Sequence, residues 1–226
     1  MPRAEPEILH LDEAIVAVSK PGGLLCHRSR ESSDRRFLLQ EVRSRVGRRV
    51  YPIHRLDRAA SGVLVYGLSS EDARKLQESL ASEESVREYL ALVRGSTAER
   101  WECSRPLKDE RGRPQPAHSS FEKIAEFSRL SLLRVRISTG RRHQIRRHLA
   151  GEAHQILGDT TYGKGRLNAF FREAYGLPRL FLHASLLQVR HPRSGELLRL
   201  AAPLAEDLRE FLARLPDVPP GLLERL

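Results

Sequence analysis

Asp57 stands between two arginines in the nine-residue string His54-Arg55-Leu56-Asp57-Arg58-Ala59-Ala60-Ser61-Gly62. The string leads into an apolar run, Val63-Leu64-Val65-Tyr66-Gly67. An unpaired buried carboxylate is expensive, so Asp57 must be paired or solvated. Arg55 and Arg58 offer pairing, and nearby positive charge holds a carboxylate ionised. An ionised, oriented carboxylate beside cations is what nucleophilic catalysis on a charged polymer needs. The same residues also describe a surface ion pair at a turn, because ion-pair networks perturb carboxylates as active sites do.

The elements that must position Asp57 are legible in outline. Residues 7–11 and 14–19 are short apolar runs around Asp12-Glu13 and predict a hairpin. Lys20-Pro21-Gly22-Gly23 breaks it, since Pro lacks a donor and Gly admits positive φ. Residues 29–36 are polar and charged, an expected exposed loop. Leu39, Val42 and Val46 fall at helical spacing with Gly47 as the stop. The Val/Leu run 62–67 predicts a strand, and Ser69 with Asp72 predicts the capped start of a helix burying Ala73, Leu76 and Leu80.

Further on, residues 87–95 predict a strand whose period of two puts Tyr89, Ala91 and Val93 on one side. Residues 106–116 are rich in charge, Gly and Pro, and predict a loop or linker that could divide two lobes. Leu133, Val135 and Ile137 alternate with Arg134 and Arg136, giving a strand with one apolar and one cationic face. Thr139-Gly140 turns into a helix over 141–149, stopped at Gly151. Residues 180–189 and 196–201 flank His191-Pro192-Arg193-Ser194-Gly195 as a hairpin, and Leu204, Leu208, Phe211, Leu212 and Leu215 stripe a last helix. Strands come in adjacent pairs, so the expected class is α+β with a largely antiparallel sheet.

Composition narrows the partner. The chain has 226 residues with 39 Lys and Arg against 29 Asp and Glu, a formal charge of +10. Such an excess points to an anionic partner, nucleic acid first. The arginines are dispersed, which favours a folded basic surface over a disordered arm. Cys26 and Cys103 suggest neither a disulfide framework nor a zinc module. No apolar run approaches the roughly 20 residues of a membrane span. The first residues lack the apolar core of a signal peptide, so a cytoplasmic protein is expected.

Several familiar sites are excluded. Gly158-Asp159-Thr160-Thr161-Tyr162-Gly163-Lys164 has the glycine spacing of a phosphate loop but is followed by Gly165, not the Ser or Thr that would bind magnesium. His143 and His148 are not the i, i+4 pair of a helical zinc site. Nothing fits a zinc deaminase or the G-x-S-x-G elbow of a serine hydrolase. What remains is Asp57, an aromatic on a strand, and an Arg-rich helix. Taken singly, Tyr89 also reads as sheet packing, Arg146 as a solvated helix face and Leu182 as core.

The string His-Arg-Leu-Asp-Arg-x-x-Ser-Gly resembles the catalytic motif of the RluA-type pseudouridine synthases. Lys20-Pro21-Gly22-Gly23 resembles the family's K-P-x-G segment. Thr139-Gly140-Arg141-Arg142-His143-Gln144-Ile145-Arg146 resembles its T-G-R-x-H-Q-I-R, and Leu182-His183-Ala184 its late L-H-A. The motifs occur in the family's order from about Ile8 to about Leu215. The resemblance implies the pseudouridine synthase fold, a mixed and largely antiparallel sheet flanked by helices, as one catalytic domain over 1–226. No room is expected for the S4-type RNA-binding module of many ribosomal-RNA members. It implies Asp57 as the nucleophile, Arg146 as its partner and Tyr89 stacking on the target uracil. Leu182 would pack on the base and Arg55 would fill the space vacated by the flipped uridine, with Arg58 and His54 completing the substrate-binding set. Two departures stand out: Ala60 where Thr is usual, and Arg87-Glu88 before Tyr89 where a basic pair is usual.

The implied reaction breaks the uridine N-glycosidic bond, turns the uracil and rejoins it through carbon. No atoms enter or leave, so no cofactor and no metal is expected. Cys26-His27-Arg28-Ser29, Arg146-Arg147-His148-Leu149-Ala150 and Tyr175-Gly176-Leu177-Pro178-Arg179-Leu180 resemble the TruC subgroup, which modifies uridine 65 in the T stem of tRNA. The expected partner is therefore tRNA, with a monomeric enzyme. The alternatives are an RluA-like enzyme acting on the tRNA anticodon stem-loop or on 23S rRNA, and a non-catalytic RNA-binding or chaperone protein.

Overall fold

The computed structural model describes residues 5–27, 34 and 36–226. In chain order the elements are β1 (Glu7–Leu11), β2 (Ile15–Lys20), α1 (Leu38–Val46), β3 (Tyr51–Pro52), β4 (Ser61–Gly67), α2 (Ser70–Leu80), β5 (Val86–Arg94) and β6 (Arg100–Cys103). There follow β7 (Leu107–Lys108), β8 (Pro114–Gln115), β9 (Ser119–Phe127), β10 (Leu130–Ile137), α3 (Gln144–Gly151), α4 (Gly165–Tyr175), β11 (Leu182–Arg190), β12 (Leu197–Ala201) and α5 (Glu206–Ala213). The class is α+β, as expected. The described residues fall into two compact units, Met1–Arg87 with Ala184–Ala202 and Glu88–His183 with Pro203–Leu226. The division does not fall at 106–116, the stretch that composition suggested as a boundary. The polar loop expected over 29–36 lies almost wholly outside the described residues.

In the first unit the strand order is β1-β2-β4-β11, with β3 pairing β4 and β12 pairing β11. The β1–β2 turn is closed by Asp12, whose Oδ1 accepts the amides of Ala14 and Ile15 at 2.7 and 2.8 Å. This is an Asx turn, the reason Asp suits that position. All of β4 is buried, with α2 packed on it. Ala73, Leu76 and Leu80 of α2 join Val63 and Val65 in the core. Ser69 caps α2 by accepting the Asp72 amide at 3.0 Å. In α1, Leu38 and Val42 are the buried pair, in place of the expected Leu39–Val42–Val46 stripe. Phe37 is buried just before the helix, and the i, i+4 pair that continues it takes the core face.

In the second unit β5-β10-β9-β6 form antiparallel neighbours. Leu133 and Val135 of β10 are buried while Arg134 and Arg136 face away, as the alternation predicted. The face of β5 does not alternate: residues 90–93 are all buried. The expected linker contains a ribbon, β7 with β8. Asp109 builds its turn, with Oδ1 accepting the amides of Arg111 and Arg113 at 2.9 Å each. The stripe Leu204, Leu208, Phe211, Leu212 and Leu215 is buried along α5 and its flanks.

Candidate active site

Asp57 lies in an irregular segment between β3 and β4, and its residue is half-buried. The backbone on both sides of it is tied to residues 20–26. On one side the Cys26 thiol donates to the Leu56 carbonyl at 3.3 Å and accepts the Leu56 amide at 3.4 Å. On the other side the Arg58 carbonyl accepts the Gly23 amide at 2.8 Å and the Lys20 ammonium at 3.1 Å. Lys20 is fully buried, and its Nζ also donates to the carbonyls of Pro21 and Leu24 at 2.9 and 2.8 Å. A buried ammonium requires such a cage of acceptors. The Ala60 amide bonds the Asp57 carbonyl at 3.1 Å and turns the chain into β4.

The arginines beside Asp57 behave differently from each other. Arg55 is exposed. Arg58 was expected to offer itself to Asp57; its Nε instead donates to the Gly23 carbonyl at 3.1 Å and its Nη2 pairs with Asp34 at 3.1 Å. His54 turns inward, with Nε2 accepting the Val65 amide at 3.4 Å. Burial, with Arg87 adding to it, drops the His54 imidazole to about 4. The ring is therefore neutral at pH 7 and suited to accept that bond. The unfolded imidazole takes a proton near pH 6.5 and the folded one does not until about pH 4. Stability held above pH 6.5 is thus lost as the pH falls toward 4. A His54→Gln variant is expected to flatten this acid limb by about 2 kcal/mol between pH 7 and pH 4.5, checked by urea unfolding at those two pH values.

The second unit holds the other residues singled out. Tyr89 is buried in β5 opposite Val135. Leu182 is buried at the start of β11. Glu88, the acid before Tyr89, pairs with Arg134 at 3.4 Å and Arg136 at 3.0 Å. That departure from a basic pair thus has a local reason: two guanidiniums of β10 converge on one carboxylate.

Arg146 is buried in α3, and its Nε and Nη2 donate to Oδ2 and Oδ1 of Asp159 at 2.7 and 2.8 Å. This fork-to-fork geometry fixes both position and plane of the guanidinium. Asp159 is itself held, since its Oδ1 accepts the amides of Thr161 and Tyr162 at 2.9 Å each. Asn168 donates to the Asp159 carbonyl at 2.9 Å, and the Tyr162 ring lies 5.2 Å from the Arg146 cation. Burial alone would push the Asp159 carboxyl up; Arg146 and the two amides outweigh it and hold the carboxyl below its ordinary value. In the sequence, the stretch that holds Asp159 reads only as a broken phosphate loop. A lone Asp between glycines carries no sequence signal that an arginine 13 positions away needs it.

Residues 14–151 match the family described as RNA pseudouridylate synthase. The chain belongs to that family, and is accordingly a pseudouridine synthase, an enzyme of the isomerase class. Among curated relatives, tRNA pseudouridine synthase C of Vibrio vulnificus (strain CMCP6) is 40% identical over 209 residues, 82% of this chain and 85% of that one. The protein of the same name from Vibrio parahaemolyticus is 36% identical over 237 residues, covering 95% and 96%. Among solved structures, human RNA Pseudouridylate Synthase Domain Containing 4 superposes with a TM-score of 0.75 at 22% identity, covering 92% of each chain. That likeness shows the fold. Among the described residues no helix is long and apolar enough to cross a membrane.

Proposed function

We propose that this enzyme acts on tRNA, converting uridine 65 of the T stem to pseudouridine in the cytoplasm, with residues 1–226 working as one monomeric catalytic domain. Two things support the substrate. Relatives at 36–40% identity over most of their length carry the name tRNA pseudouridine synthase C. The stretches 146–150 and 175–180 resemble the subgroup that modifies that position, whereas 28–29 of the third stretch lie outside the described residues. The observation that carries the catalytic reading is the Asp57 loop: a half-buried carboxylate whose neighbours on both sides are fastened to buried groups.

In this reading Asp57 is the nucleophile, Arg146 the cation that keeps it ionised and aimed, and Tyr89 the ring that stacks on the target uracil. Leu182 packs on the base and Arg55 fills the space left in the stem. His54 and Arg58, through their bonds to Val65, Gly23 and Asp34, serve the loop that presents these groups. A paired uridine must first be flipped out, at a cost of a few kcal/mol. The C1′–N1 bond then breaks, the uracil turns, and a C1′–C5 bond forms as the C5 proton leaves and N1 gains one. The isomerisation is balanced without an added reactant.

That lost C5 proton is the readout. Transfer RNA carrying uridine tritiated at C5 is expected to release tritium stoichiometrically with the modified site, which maps to position 65. Release mapped to the anticodon stem-loop, or obtained only from 23S rRNA, would replace the substrate.

A further inference from the structure

Cys26 is a buried thiol that the reaction chemistry does not use. It is 8% exposed; a buried Cys ordinarily serves as a small hydrophobe. Its Sγ nevertheless meets both backbone groups of one residue, donating to the Leu56 carbonyl at 3.3 Å and accepting from the Leu56 amide at 3.4 Å. A thiol can donate and accept at once, each time weakly. Leu56 belongs to neither helix nor strand, so no sheet ladder serves these two groups. Buried backbone groups need partners, and here one sulfur supplies both.

The position matters more than the bond strength. Leu56 immediately precedes Asp57, and Arg58, which follows it, is held by Gly23 and Lys20. The clamp therefore grips the chain one residue to either side of the carboxylate. Without the rung at 56, the backbone entering Asp57 loses that anchor and its Cα could shift by a fraction of an ångström. Catalytic geometry is that sensitive: about 1 Å of misplacement costs about a hundredfold in rate.

We propose that Cys26 is a positioning residue for the catalytic loop, fixing the backbone that presents Asp57 through its paired bonds to Leu56. Burial pushes the thiol's pKa up, which keeps the proton it must donate. The inference rests on the reading of Asp57 as the nucleophile, and its test separates the two.

Three variants decide it: Cys26→Val, which keeps bulk but no hydrogen bond, Cys26→Ala, and Cys26→Ser, which keeps a donor and an acceptor. Hydrogen–deuterium exchange over residues 54–60 is the first readout and does not depend on activity. Val and Ala are expected to speed exchange there about tenfold or more with other segments unchanged. Tritium release is expected to show kcat down about ten- to a hundredfold with KM within about threefold, and Ser restoring most of it. Unchanged exchange in both Val and Ala overturns the proposal. So does faster exchange with wild-type kcat, or a uniform loss of protection that Ser does not repair, which would mark a plain packing role. An Asp57→Ala control that still turns over would remove the catalytic reading, while the exchange result still decides whether the thiol holds the loop.

Discussion

Asp57→Ala is expected to lower tritium release by at least about 10⁴-fold, the scale seen when a covalent nucleophile is removed, while tRNA affinity stays within a few-fold. The separation follows from what each group touches. Affinity for structured RNA comes mainly from phosphate contacts, supplied by a basic surface that this substitution leaves almost intact. The chemistry has one carboxylate in the loop to rely on. Asp57 is half-buried in an irregular segment, so truncation removes few packed atoms and should leave thermal stability close to that of the parent. Filter binding at fixed salt, beside the release assay, checks both halves. Retained turnover would place the nucleophile elsewhere; a matching loss of affinity and turnover would make Asp57 a docking residue.

Asp159→Ala is expected to have the largest effect on stability, about 3–5 kcal/mol, because it removes the buried carboxylate that takes two hydrogen bonds from a buried guanidinium. The Arg146 and Asp159 side chains are 9% and 1% exposed, so screening by solvent does little to soften the loss. The pair is a costly thing to half-dismantle and a cheap one to replace whole. The double variant Arg146→Met with Asp159→Leu should recover most of the lost stability, since apolar side chains of similar volume often substitute for a buried ion pair at no net cost. It should recover no turnover, because the cation assigned to Asp57 is then gone. Urea midpoints and tritium release measured on the same three proteins separate the two outcomes. A double variant as unstable as Asp159→Ala would mean that the site cannot repack. An active one would remove Arg146 from the reaction.

Much of this frame could be read from periodicity and turn chemistry. The β1–β2 hairpin, the capped start of α2, the alternating β10 and the stripe of α5 rest on local signals that the folded chain keeps. Other elements give no such signal. The β9–β10 turn uses Ser128 and Arg129 with φ of 51° and 57°. Such a turn is ordinarily announced by Asn-Gly, so nothing marked it. Helix α4 starts after Lys164 with no side-chain cap, which removes the usual sign of a helix start. Motif order marks Asp57, Tyr89 and Arg146 as the candidate residues. The groups that hold them were not legible, because Cys26 with Leu56 and Arg146 with Asp159 are pairings set by tertiary contact. Arg58 shows the converse: adjacent in sequence to Asp57, it spends its guanidinium on Gly23 and Asp34.

Gly62 closes the motif and has φ of +109°. A Cβ built there would lie 2.1 Å from the Ala184 carbonyl oxygen and 2.6 Å from its nitrogen, both backbone atoms of the neighbouring strand. In register it also faces Lys20, the buried ammonium that grips Arg58. For a genetic screen this has a concrete meaning. Every missense allele at codon 62 should score as a null alongside alleles of codon 57, although no atom of Gly62 need meet the RNA. A map of intolerant codons would therefore draw the catalytic patch too large, and only the amount of folded protein in each mutant strain would separate a lost reaction from a lost fold.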